Sequence, residues 1–140
     1  VIYDCIPVIE IKKINDYENF LKTIEDSGLI NRCIISGGIE DLKKIRELNT
    51  TIPLMVIGYS NKPYTFYTDL IQQLPDNSGI LYDYHVVNQD VIQELHNKGL
   101  LAGVWTLNTG EEAAEYISYG VDFVVTNHIP GLKHMINDKE

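Results

Sequence analysis

The chain has 140 residues and a mass of 15.9 kDa, which suits one domain and leaves no room for a second. Hydrophobic residues make up 44% and charged ones 22%, a balance too apolar for a disordered chain. With 11 Lys and Arg against 20 Asp and Glu, the net charge of −9 argues against a nucleic-acid groove or a polybasic membrane surface, since both need clustered cations.

The opening Val1-Ile2-Tyr3-Asp4-Cys5 starts without Met inside an apolar run, and so suggests a piece of a longer chain. It lacks the basic-then-apolar order of a secretory signal, which favours a cytoplasmic setting. No stretch reaches the ~18–20 unbroken apolar residues of a membrane helix. The first strand is expected over residues 5–12. Asn15 or Asp16 then caps a helix to about Ser27, with Gly28 as its stop and Tyr17, Phe20, Leu21 and Ile24 on one face. A strand over 32–36 precedes a helix from about Ile39 to Leu48, with Leu42 and Ile45 inward. The strand at 54–58 leads to a loop and a short helix that ends before Pro75. After a strand at 79–84, Asn88 opens a helix with Val91, Ile92 and Leu95 in period, and Gly99 ends it. A strand at 101–106 is followed by a helix that starts with the capping box Thr109 and Glu112 and closes at Gly120. The last strand covers 122–126.

Short runs of Ile, Val and Leu suit strands buried on both faces, and strand–helix alternation calls for a parallel sheet with right-handed crossovers. Two α/β architectures stay open. One is a doubly wound open sheet, which the length favours; the other is part of an eight-stranded barrel, which when complete takes ~250 residues. Cys5 and Cys33 lie in apolar runs and read as buried free thiols. His85, His96, His128 and His134 show no metal-ligand spacing.

In either architecture chemistry collects at the C-terminal ends of the strands. That edge selects Glu10, Lys12, Ser36, Gly58, Tyr59, Ser60, Tyr82, Asp83, Tyr84, His85, Trp105, Thr106, Leu107, Asn108, Thr126, Asn127 and His128. Glu10 and Lys12 are two apart on a strand, so their side chains leave one face while Ile9 and Ile11 leave the other, under the helices. Charges on the inner face of a buried strand must be paired, hydrated or metal-bound. A plain ion pair satisfies that demand as well as a site does. Trp105 reads equally as core. Tyr82, Tyr84 and His85 suit either a polar mouth or a helix-capping loop. Ser36-Gly37-Gly38 could offer backbone N–H groups to an anion but lacks a dinucleotide fingerprint. Nothing in the spacing joins a Ser/His/Asp or Cys/His set.

Several stretches, in order, resemble the C-terminal part of the glycerophosphodiester phosphodiesterase family. Val8-Ile9-Glu10-Ile11-Lys12 resembles its IEIK strand. Cys33-Ile34-Ile35-Ser36, then Asp41-Leu42-Lys43-Lys44-Ile45-Arg46-Glu47-Leu48-Asn49 and Pro53-Leu54, are similar to the strand, helix and strand that follow it. Gly103-Val104-Trp105-Thr106-Leu107-Asn108 and Gly120-Val121-Asp122-Phe123-Val124-Val125-Thr126-Asn127 resemble its closing VWTVN and GVDGIITD signatures. The resemblance implies a parallel (β/α) TIM-type barrel, here an incomplete barrel of about six strands. It implies a lipid-metabolic hydrolase that converts a glycerophosphodiester and water to glycerol 3-phosphate and an alcohol, with a bound divalent cation, Mg²⁺ or Ca²⁺. Glu10 would be a metal ligand, Lys12 a partner for the phosphate and Trp105 a wall of the glycerol pocket.

The family's His-Arg opening, its other metal carboxylates and its second catalytic His lie upstream of the IEIK strand and are not in this sequence. No catalytic residue is therefore assigned within the chain. Gly37 and Gly38 stand where the family often has a bulky residue, and Asn127-His128 where Asp-Arg is common. The expectation is a segment inactive alone, with an open edge beside the first strand that takes a missing N-terminal segment or a second copy. The rival reading is a non-catalytic α/β binding or interaction module.

Overall fold

The computed structural model describes residues 5–74 and 76–127. Six strands, β1 (Val8–Glu10), β2 (Ile34–Ser36), β3 (Leu54–Gly58), β4 (Ser78–Asp83), β5 (Leu101–Trp105) and β6 (Phe123–Val124), alternate with five α-helices. The helices are α1 (Tyr17–Asp26), α2 (Ile39–Leu48), α3 (Tyr64–Ile71), α4 (Gln89–Asn97) and α5 (Gly110–Ser118). All neighbouring strands pair in parallel, and their order in the sheet is their order in the chain.

That order decides the architecture. A doubly wound sheet reverses direction once to place helices on both faces, whereas right-handed crossovers that always step the same way keep every helix on one face. The six strands form a curled half-barrel with the helices outside. The open-sheet alternative, which length alone favours, is set aside.

Local sequence sets the helix ends as expected. The side chains of Asp16, Asn88 and Thr109 each accept a hydrogen bond from the backbone N–H three residues on, at 3.0, 3.0 and 3.3 Å. Gly28 and Gly120 follow the last helical turns with φ of +80° and +95°, a region that glycine enters at little cost. The first strand is shorter than expected, three residues against eight. Cys5 is exposed, not buried, because it lies before the strand begins; Cys33 is buried, and both are free.

Two apolar clusters divide the faces. Between sheet and helices lie Ile35, Leu42, Ile45, Leu54, Ile71, Ile80, Ile92 and Leu107, each fully buried. Each such side chain contributes about 1.5–3 kcal/mol of burial. Inside the curve, Ile34, Met55 and Leu81 are packed with Val8, Leu101, Trp105, Phe123 and Val125. Alternation along the strands separates the two sets.

Candidate active site

The residues of the inner face follow from that alternation. On β1, Val8 packs in the inner cluster and Ile9 in the helix-side core, where Ile11, just past the strand, also packs. Glu10, two residues after Val8, therefore leaves the inner face at the strand's C-terminal end, where it is exposed. Lys12 is exposed just past the strand. Glu10 is in register with Ser36, and Ser36 with Met55. Ser36 is 1% exposed, and its hydroxyl has no hydrogen-bond partner among the described residues.

Trp105 ends β5 on the same inner face. Its indole Nε1 donates to the Leu81 carbonyl at 3.0 Å, and the half-exposed Tyr59 ring stands edge-on to it, centroids 5.7 Å apart. The strand-end rule selects Tyr59 from the sequence but gives it no partner. Its pairing with Trp105 needs the curl of the sheet, which no local pattern reports. The peptide after Trp105 is cis. Asn108 accepts from the backbone N–H of Asn127 at 3.1 Å and ties the ends of β5 and β6 together.

Tyr82, Tyr84 and His85 do not form a polar mouth. Tyr82 belongs to the helix-side core, and its hydroxyl donates to the Lys62 carbonyl at 2.8 Å. Burial, with the neighbouring Tyr67 and Asp83, pushes its pKa up. Asp83 caps a single 3₁₀ turn, Tyr84–Val86, by accepting from the His85 backbone N–H, and the same oxygen meets His85 Nδ1 at 2.8 Å. His85 stacks on Tyr84 and is largely exposed. The capping alternative is the one observed. A shallow depression at the rim is lined by Ser60, Asn61, Lys62, Pro63, Tyr64, Tyr82 and Val86.

His96 lies at the opposite end of the sheet. Its Nε2 meets Asp122 at 2.8 Å, and that carboxylate also accepts from the Ala102 N–H, so the pair joins α4 to the start of β5 and β6. His128 and His134 lie outside the described residues. Gly38 opens α2 without a side-chain cap, and Gly37 packs against Ile11, so Ser36-Gly37-Gly38 is first a close strand–loop contact.

Among the described residues, no three His, Cys, Asp or Glu side chains come together as a metal cluster. The donors on the β1–β2 wall are nonetheless oxygen alone, a carboxylate beside an unpartnered buried hydroxyl. Such donors fit a hard cation. Two oxygen donors fall short of a full ligand set for such an ion. No helix among the described residues is long and apolar enough to cross a membrane.

A family model for the glycerophosphoryl diester phosphodiesterase family matches residues 9–130. The chain belongs to that family. Its fold is shared with solved phosphodiesterase-family structures at low identity. One, described as a glycerophosphoryl diester phosphodiesterase from Silicibacter pomeroyi, is 16% identical with a TM-score of 0.74, and the match covers 94% of this chain and 50% of that one. A second, described as a glycerophosphodiester phosphodiesterase from Galdieria sulphuraria, is 17% identical with a TM-score of 0.71 and coverage of 93% and 56%. A third, a glycerophosphodiester phosphodiesterase from Parabacteroides distasonis, is 17% identical with a TM-score of 0.67 and coverage of 95% and 58%. This chain thus spans between 50% and 58% of the length of these three solved phosphodiesterase-family structures. No curated protein matches it significantly.

Proposed function

We propose that this chain carries one side of a glycerophosphodiester-hydrolysing site, with Glu10 toward a divalent cation, Lys12 toward the phosphate and Trp105 toward the glycerol. The observation that supports it is the placement of Glu10 and Trp105 on one inner face, each at the C-terminal end of its strand, in a chain of this family. The reaction would add water to the phosphorus of a glycerophosphodiester and release glycerol 3-phosphate and an alcohol. Negative charge grows on the phosphoryl oxygens in the transition state, and an ammonium held there offsets it. Lys12 has the charge and the exposure for that task. The flat indole of Trp105, with Tyr59 at its edge, offers an apolar face to the glycerol carbons and excludes water on that side. A bound Mg²⁺ or Ca²⁺ would supply further positive charge at the phosphoryl group, with Glu10 as one of its ligands.

Proton transfer needs a carrier within hydrogen-bond reach of the reacting oxygen. Of the histidines among the described residues, His96 is at the far end of the sheet and His85 is engaged with Asp83 at a cap. This arrangement supports a chain that is inactive by itself and that gains activity when further strands adjoin β1, an edge of the described sheet. The test is hydrolysis of glycerophosphodiesters with Mg²⁺ or Ca²⁺, by this chain alone and with a segment carrying the first strands of a related family barrel. Activity only in the mixture, lost on Glu10→Ala or Lys12→Ala, is expected. Turnover by the isolated chain would overturn the claim of inactivity. Full activity of the mixture with Glu10→Ala would overturn the role of Glu10.

The second reading, a non-catalytic binding module, is favoured by the lack of a three-ligand cluster among the described residues. Under it, neither mixture nor chain hydrolyses any diester, while the chain still binds glycerol 3-phosphate.

A further inference from the structure

We propose that Ser36 is a positioning residue for the Glu10 carboxylate, its buried hydroxyl donating a hydrogen bond to Glu10 when that carboxylate holds a divalent cation. The inference rests on the reading of Glu10 given above and adds a residue to it. Three observations carry it. Ser36 Oγ is buried and has no partner among the described residues, whereas the buried hydroxyls of Thr68 in α3 and Ser78 in β4 each donate to a backbone carbonyl. A buried hydroxyl without a partner costs about 1–3 kcal/mol, so its retention calls for a compensating role. Ser36 also sits in register with Glu10 on the adjacent strand, both leaving the inner face at their strands' C-terminal ends. Neighbouring strands lie about 4.8 Å apart, and a glutamate side chain spans that gap.

The third observation is what surrounds the hydroxyl. On its other side Ser36 is in register with Met55, whose thioether is at best a weak acceptor, and the backbone carbonyl of Ser36 already accepts from the Ile11 N–H at 2.7 Å. The strong acceptor next to it in register is the Glu10 carboxylate. Glu10 is exposed at the strand end. Turned inward toward a cation, its carboxylate would come over Ser36, with one oxygen left for the ion and the other accepting a hydrogen bond from the Ser36 hydroxyl. Carboxylate ligands held in this way bind metal more tightly, because the hydrogen bond fixes their orientation.

The experiment follows Mn²⁺ binding to the whole chain by the paramagnetic broadening of backbone amide signals, together with thermal unfolding, for the wild type, Ser36→Ala, Ser36→Thr and Glu10→Ala. The wild type is expected to show broadening centred on Glu10 and Ser36, and Glu10→Ala to lose it. Ser36→Ala should weaken binding about tenfold or more, with its unfolding temperature unchanged or raised because an orphaned hydroxyl has gone. Ser36→Thr keeps the hydroxyl and should bind nearly as the wild type does. If Ser36→Ala binds as the wild type while Glu10→Ala does not, the role of Ser36 is overturned and that of Glu10 stands. If Ser36→Ala loses affinity and also melts lower, the residue is structural and the inference again falls. Equal binding by Glu10→Ala and wild type, or no broadening at β1 in the wild type, overturns the Glu10 reading and this inference with it.

Discussion

The Trp105 indole is tied to the strand beside it, its Nε1 donating to the Leu81 carbonyl oxygen at 3.0 Å. A carbonyl has two lone pairs, so Leu81 can serve both the sheet ladder and the indole. The bond holds the ring across β4 rather than letting it swing toward solvent. Trp105→Phe keeps an aromatic face but removes the donor. It is expected to lower stability by about 1 kcal/mol in urea unfolding. A variant indistinguishable from the wild type would mean that the indole N–H is equally well served by water.

Gly79 is the position on the sheet least able to accept a side chain. A Cβ there would lie 2.0 Å from the Leu101 carbonyl oxygen, which is backbone on the adjacent strand and cannot swing away. Gly79→Ala should therefore force β4 and β5 apart and cost about 3 kcal/mol or more, by analogy with overpacked cores. Urea unfolding measures it, and a loss below about 0.5 kcal/mol, the range of ordinary surface changes, would count against the register described.

The two thiols should separate cleanly by reactivity. Cys5 is exposed, whereas Cys33 is 3% exposed and burial pushes its pKa up, which lowers its thiolate fraction. An aromatic disulfide reagent at pH 8 is expected to modify Cys5 quickly in the folded chain and Cys33 only on denaturation. Equal rates at both would place Cys33 at the surface.

Alkaline pH should unfold the chain through its tyrosines. The Tyr17 hydroxyl donates to Asp41 at 2.5 Å, and Tyr119 to Glu115 at 2.7 Å; each bond to a carboxylate raises the tyrosine's pKa above its usual 10.0. Burial does the same for Tyr82 and Tyr116. The folded state thus keeps protons that the unfolded state releases first. The stabilisation is fully present below pH 10 and is lost as pH climbs through the raised folded-state values. Stability measured from pH 7 to 9 should be flat on this account and then fall, with a shallower fall in Tyr17→Phe. An identical slope in that variant would assign the loss to other groups.

The sequence shows the frame of this fold more readily than its functional edge. Asp16, Asn88 and Thr109 read as caps because a cap is a local bond, made within three residues of the residue that makes it. The two faces of β1 were legible in the same way, from the alternation of Ile9, Glu10 and Ile11. Barrel against open sheet was not, since helix placement depends on the direction of each crossover. Family resemblance supplied what periodicity could not. Cys5 was misjudged because apolar neighbours do not show where pairing begins. The isolation of the Ser36 hydroxyl was invisible for a similar reason: whether a buried group finds a partner is decided by residues far away in the chain.

The sheet tapers, with five or six residues in β3, β4 and β5 but three in β1 and two in β6. Amide exchange should follow that taper, slowest along the middle strands and fastest at the two outer ones, because short edge strands open without unfolding the rest. Glu10 belongs to an outer strand and Trp105 to one of the longer strands. The carboxylate side and the aromatic side of the inner face therefore have separate lifetimes, and the aromatic side outlasts the carboxylate side each time the edge opens.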